Sequence, residues 1–435
     1  MAGTGSRGST LMGSIIDYVT STTEDFDSRP FGEIDALVLA CLSYERLPPS
    51  VPRLDDQEPR LSTWWRRAGR ADLRHPWTSL TTMLRAPFDG PTIAETSAML
   101  LEADFDFAGN HTGLGRPDNT RRLVEAVGAS PRFSPIRIGA VQEHVSCEHQ
   151  TQFAAQTMML PDGTLVVAYR GTDESFTGWR EDFNMTFQYP VPAQESAVRY
   201  LTRVAGIWPR GRIVTTGHSK GGNLAVYAAI EAPKAVQERI SLAYSLDGPG
   251  FPSDVVCGPR YRNVIGRIRK IIPDSSIVGM IFDTPEPCTV VESDQKGLMQ
   301  HDAFSWQIND GILVRMPAVS PSSQYFNKTL NSWIEGLSVE QRRRTVDALF
   351  STLESSGADT MRGMLGVIPR ALPDMISSFA GLSSQDRRNI LAAVNLFAKA
   401  ALMRNRIRGL TPEPTIPSHP ARDSGIASTS EGESA

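Results

Sequence analysis

The segment Gly217-His218-Ser219-Lys220-Gly221-Gly222 sets a serine among glycines, between a short apolar run and a helix-like stretch. Two chemistries use a glycine-rich turn from strand to helix: a phosphate cradle and a nucleophile elbow. The phosphate readings fail on residue order. A Walker loop places lysine after its last glycine and Ser or Thr after the lysine, whereas here the order is Ser219-Lys220-Gly221. A dinucleotide fingerprint needs a glycine where Ser219 stands. The elbow pattern, glycine-x-serine-x-glycine, is met. It holds the serine on a tight turn whose backbones pass close, so the residues two before and two after must be small. The following helix aims its N-terminus at the serine, which favours developing negative charge. The bland alternative is a glycine-rich turn without catalysis.

A serine nucleophile needs a base. In hydrolases built on such an elbow the chain order is serine, acid, histidine. Only His301 and His419 follow Ser219. His419 falls in residues 411–435, which are rich in Pro, Ser, Glu and Gly and read as a disordered tail. His301, in GLMQHDAFSW, is therefore the expected base. The acid stays open, because several carboxylates lie between Ser219 and His301. It should sit just past the C-terminal end of a strand, where it can orient the imidazole. Asp274 is the first choice and Asp247 the alternative acid, whose bland role is a turn residue before Gly248-Pro249-Gly250. Asp283, Asp294 or no acid complete the options. The oxyanion hole needs two backbone N–H groups. Lys220 supplies one as the residue after the nucleophile. Thr172, in Arg170-Gly171-Thr172, is the candidate for the other, unless that segment is an ordinary strand-end turn. The Lys220 side chain is expected to face solvent, where the helix dipole disfavours it, or to reach an acidic partner such as Asp173 or Asp247.

These residues need elements to position them. Residues 31–44 read as a buried helix, and 150–170 as two strands joined by the turn Pro161-Asp162-Gly163. Residues 191–206 and 222–231 read as helices, and 212–216, 240–247 and 264–272 as strands. This alternation predicts an α/β fold with a mainly parallel sheet flanked by helices. The chain is expected to divide into a catalytic unit (1–320), a helical extension (321–410) and the tail. In the extension, Ser338 with Gln341 and Ser383 with Asp386 have capping-box spacing. Residues 45–90 change character and include Trp64-Trp65-Arg66-Arg67.

Together these features resemble the lipase class 3 branch of the α/β hydrolases, and within it the bacterial Mbeg-like group. The resemblance rests on IIDYVTS, EIDALVLACLSYE, VAYRGTDESFTGWREDFNM, GHSKGGNLA, LDGPGF, IIPDSSIVGM and GLMQHDAFSW. It implies an α/β-hydrolase (lipase-like) fold with a C-terminal helical extension added, Ser219 as nucleophile, His301 as base and Thr172 at the oxyanion position. The acid remains undecided: PDSSIVG is similar to the lipase aspartate segment, while DGPGF is typical of the group. Residues 45–90 depart from the pattern as an insertion. The group is defined by sequence, so no substrate is implied.

The whole chain narrows the remaining classes. Its 435 residues carry 44 basic and 48 acidic side chains, a net charge of −4, which gives no footprint for nucleic acid. Cys41, Cys147, Cys257 and Cys288 are far apart and form no disulfide framework, as in a reducing compartment. His144, Cys147 and His149 cluster without a second ligand pair, so no metal is expected, nor any cofactor. The N-terminus lacks a signal-peptide core, and residues 390–403 are too short to span a bilayer. These readings predict a soluble cytoplasmic serine hydrolase acting on a small-molecule acyl ester or lipid. The alternatives are an acyltransferase with the same nucleophile, or a non-catalytic binding protein on the same fold. The Trp64–Arg74 stretch suits a surface insertion, a lid, or peripheral contact with a membrane.

Overall fold

The computed structural model describes residues 13–57, 88–102, 105–112, 116–173 and 175–355, together with positions 384, 387 and 388. Most of the 45–90 insertion, including Trp64–Arg74, lies outside the described residues. So do the Ser383–Asp386 cap, the tail and the part of the helical extension beyond 355 apart from the three isolated positions.

Seven strands form one sheet: β1 (Arg137–Ser146), β2 (Thr151–Met159), β3 (Leu165–Tyr169), β4 (Ile213–His218), β5 (Ile240–Leu246), β6 (Ile268–Pro273) and β7 (Cys288–Val291). Their spatial order is their sequence order. The first three pair antiparallel, and β3 through β7 run parallel. This is a mainly parallel sheet flanked by helices, the α/β-hydrolase arrangement.

β3 is apolar throughout, and β4 is buried along its whole length, because both faces are covered. Along β3, Leu165, Val167 and Tyr169 enter one core and Val166 and Ala168 the other. The first core takes helices α6 (Pro192–Ile207) and α7 (Lys220–Glu231), which make the crossovers between parallel strands. With strands in sequential order, crossovers of one hand fall on one face and leave the other bare. Helices that precede the sheet in sequence fill that second face: α1 (Ile15–Ser21), α2 (Glu33–Leu42), α3 (Ile93–Leu100) and α4 (Pro117–Ala129). Thr216 marks the join, its Oγ1 donating to Ala36 O at 3.1 Å.

Beyond the sheet, α5 (Phe176–Asn184) follows β3, and α8 (Pro321–Glu335) and α9 (Val339–Ser355) close the described chain. The cap read at Ser338 is present: Gln341 N donates to Ser338 Oγ at 3.2 Å, and Ser338 N to Gln341 Oε1 at 2.8 Å. Val346 and Phe350 of α9 pack on Phe176, Trp179 and Phe183 of α5. One strand reading changes. Residues 264–272 begin as the end of a short helix, Pro259–Val264, and pairing starts only at Ile268. Tyr261, Val264 and Ile268 are buried at three- and four-residue spacing, a helical period that the apolar run conceals.

A buried ion pair fixes the helical layer. Arg132 and Asp35 are 0% and 1% exposed. The guanidinium meets both carboxylate oxygens, at 2.8 and 2.7 Å, and also donates to the carbonyls of Glu24, Asp25 and Arg29. Breaking such a pair leaves a buried unpaired charge. Arg132→Met is therefore expected to cost about 3–5 kcal/mol in a denaturant melt. Arg132→Lys should recover little of this, because an ammonium cannot span the fork and the three carbonyls.

Candidate active site

Ser219 and Asp247 are the first residues after adjacent strands β4 and β5, where His218 registers with Leu246. Both adopt left-handed backbone, with φ of 58° and 49°. That conformation is costly for residues with a Cβ and marks places where surrounding structure holds the turn. At the elbow the constraint is visible. A Cβ on Gly217 would lie 2.2 Å from Gly221 C and O, and one on Gly221 would lie 2.2 Å from Tyr169 O. Only glycine lets strand β4, helix α7 and the end of β3 approach this closely. Ser219 N donates to Leu246 O at 2.9 Å, tying the nucleophile candidate to the neighbouring strand. Lys220 is the first residue of α7, so its N–H has no partner within the helix.

His301 lies at the end of a 3-10 turn, Gly297–His301. Two bonds from Gln300 anchor that turn: its Oε1 accepts from Ser275 N at 2.7 Å, and its carbonyl accepts from Trp306 Nε1 at 2.9 Å. The turn brings His301 Nδ1 to 2.6 Å from Asp247 Oδ2. Asp247 Oδ1 accepts from Ser276 Oγ at 2.5 Å and from Gly279 N at 3.1 Å. Burial alone would raise the Asp247 pKa. The hydrogen bond and charge of His301, with the Ser276 hydroxyl, outweigh it and hold the carboxyl below its usual range. An ionised carboxylate only accepts, so His301 donates through Nδ1 and turns Nε2 away from the carboxylate. Among the described residues Ser219 Oγ has no hydrogen-bond partner.

The carboxylate beside His301 is thus Asp247, and the first-choice acid, Asp274, is elsewhere. Asp274 also follows a strand, but that strand is β6, one further from the elbow. Its backbone carries its contacts, with N donating to Val291 O and O accepting from Ser320 N. Asp283 bridges to Phe251 through its backbone, and Asp294 N bonds to Ser305 O.

Three residues that sequence reasoning passed over support this arrangement. His218 Nε2 is 2.8 Å from the His301 carbonyl, and its Nδ1 is 3.0 Å from Tyr44 Oη. A carbonyl accepts only, so Nε2 carries the proton and Tyr44 donates to Nδ1. The His218 and His301 ring centroids lie 4.6 Å apart, with the planes tilted by 37°. Arg170 is the third, donating to Ser43 O at 2.6 Å, Glu45 O at 3.2 Å and Glu143 Oε1 at 2.6 Å. It thereby moors the Arg170-Gly171-Thr172 turn to the end of α2.

Burial, and then the nearby His301 charge, push the His218 pKa down from 6.5 to about 3. The unfolded chain takes up this proton first. The site's contribution to stability is therefore intact above pH 6.5 and is lost as the pH falls toward 3. Its expected slope is about 1.4 kcal/mol per pH unit in that window. Denaturant melts of His218→Asn between pH 4 and 7 should lack that slope.

Residues 127–351 match the model of the Mbeg1-like family. The chain belongs to that family. No curated protein matches it. Among solved structures, this Mbeg1-like chain is similar to a mutant form of MDLA from Penicillium cyclopium, at 14% identity and a TM-score of 0.28, covering 52% of this chain and 84% of that one. It is also similar to a deletion mutant of Rhizomucor miehei lipase in its propeptide complex, at 15% identity and a TM-score of 0.29, covering 65% and 86%.

In this Mbeg1-like protein the Lys220 side chain does not face solvent; it reaches an acidic partner, Glu181 rather than Asp173 or Asp247. It is 1% exposed and bonds to Gln152 O at 2.9 Å, Gln152 Oε1 at 2.6 Å and Glu181 Oε2 at 3.1 Å. A cation at a helix N-terminus opposes the dipole, and the fully buried Glu181 carboxylate of α5 offsets it. Thr172, the other oxyanion candidate, is buried, and its Oγ1 donates to Asp182 Oδ2. The His144–His149 cluster lies at the exposed β1–β2 hairpin, and no group among the described residues has the makings of a metal site. All four cysteines are free. No described helix is long and apolar enough to cross a membrane.

Proposed function

We propose that this protein is a lipase-like serine hydrolase that cleaves an acyl ester through Ser219, His301 and Asp247. One observation carries the reading. A serine held at positive φ on a strand–helix elbow and a buried carboxylate paired at 2.6 Å with a histidine occur at the ends of neighbouring strands. A structural turn needs no such convergence of strain and pairing.

In this mechanism His301 Nε2 takes the proton of Ser219 Oγ as that oxygen attacks the acyl carbonyl. Asp247 holds the imidazole tautomer and stabilises the imidazolium, without itself taking the proton. The N–H groups of Thr172 and Lys220 receive the oxyanion, each contributing roughly 3 kcal/mol. The alcohol leaves with the proton from His301. Water, deprotonated by the same nitrogen, then attacks the acyl-enzyme and regenerates Ser219. The substrate is an acyl ester or lipid; the lipase-class resemblance supports this acyl-transfer route.

Stopped-flow hydrolysis of p-nitrophenyl esters from acetate to palmitate tests this. The expected result is turnover, with a nitrophenol burst no larger than one equivalent wherever deacylation is slower than acylation. A folded protein with neither turnover nor burst on any chain length would leave the binding-protein alternative standing.

A further inference from the structure

The triad does not use the buried polar cluster beneath the elbow. There Gln152, on β2 and 2% exposed, has both arms of its side-chain amide engaged. Its Oε1 accepts from Lys220 Nζ at 2.6 Å, and its Nε2 donates to Gly171 O at 3.5 Å. The two bonded residues belong to different segments, one the elbow and the other the β3 turn. Gly171 immediately precedes Thr172, and Lys220 immediately follows Ser219. A single side chain therefore spans the two segments that carry the oxyanion N–H groups. Glu181 locks the lysine end of this span. It is fully buried, and its carboxylate accepts from Lys220 Nζ, Gln152 N, Thr151 Oγ1 and Ala193 N.

We infer that the Lys220 ammonium and the Gln152 amide are positioning groups that set the separation of the Thr172 and Lys220 N–H donors. The inference rests on the serine-hydrolase reading above and adds a role for two side chains outside the triad, distinct from the Lys220 N–H itself. It also gives lysine after the nucleophile a purpose: any residue but proline offers the N–H, whereas only a long cationic side chain reaches both Gln152 and Glu181. Oxyanion donors act on the transition state and little on the bound substrate. Loosening them should thus lower kcat and spare KM.

Gln152→Leu is the informative variant, because Lys220 keeps Glu181 and the Gln152 main-chain oxygen. Gln152→Glu separates the two arms: a carboxylate still accepts from Lys220 but cannot donate to Gly171 O. Each is expected to lower kcat for p-nitrophenyl ester hydrolysis by about 10- to 100-fold, with KM within about twofold, as for a misplacement near 1 Å. Lys220→Met should do the same or more. If it fails to fold, the two Gln152 variants carry the test. Wild-type kcat in Gln152→Leu, with or without a lower melting temperature, overturns the brace alone. Full activity in Gln152→Glu with loss in Gln152→Leu reduces the amide to a partner for the lysine charge and overturns the two-armed brace. An inactive wild type that also fails to label with a fluorophosphonate overturns the hydrolase reading and this inference with it.

Discussion

Ser219→Ala is expected to lower kcat for ester hydrolysis by on the order of 10⁶-fold, to the residual rate that binding and oxyanion stabilisation alone provide. The prediction follows from the elbow. Ser219 holds its backbone at φ 58° whatever its side chain does, since the Gly217–Gly221 contact and the bond from Ser219 N to Leu246 O fix the turn. Alanine fits that backbone as well as serine, so the fold should survive and the loss should be chemical. His301→Ala should be about equally damaging, because a nucleophile and its base act as one unit and their effects do not add. Steady-state rates of the two single variants and the double variant check this. A double variant far slower than either single one would show that the two residues do not act together.

The second large effect separates the two acids. Asp247→Asn should reduce kcat about 10⁴-fold, because asparagine can hold His301 in the wrong tautomer, with Nε2 protonated and no longer a base. Asp274→Asn should stay within about threefold of wild type, its contacts being made by the backbone. Asp247→Asn also bears on stability. The folded Asp247 pKa lies below the ordinary value, so the stability it contributes is present above pH 4 and fades as the pH falls through the folded pKa. Kinetics of both variants on one ester decide the matter, and the reverse ranking would return the acid to Asp274.

The contrast between these aspartates shows where sequence reading stops. The elbow was legible because its constraints are local: Gly217, Ser219 and Gly221 meet within one turn. His301 came from counting, since only two histidines follow Ser219. Asp247 and Asp274 both stand just past a strand, and only knowledge of which strand borders β4 tells them apart. That is a property of sheet order, which no local pattern encodes. The identity of the Lys220 partners was hidden for a related reason. Its partners Gln152 and Glu181 lie 68 and 39 positions away. Tyr44 reaches His218 across 174 positions. Among the elements, β3 was plain from an unbroken apolar run buried on both faces. The start of β6 was not, because Tyr261, Val264 and Ile268 follow a helical period inside an apolar stretch.

The central claim is that Ser219 is a nucleophile activated by His301 and Asp247. The most direct measurement is reaction with a fluorophosphonate followed by peptide mapping in a mass spectrometer. One phosphonyl group per chain is expected, on the peptide that contains Ser219. It should be absent in Ser219→Ala and form far more slowly in His301→Ala and Asp247→Asn. A folded wild type that takes up no phosphonate, or one whose adduct maps to another residue, would contradict the claim.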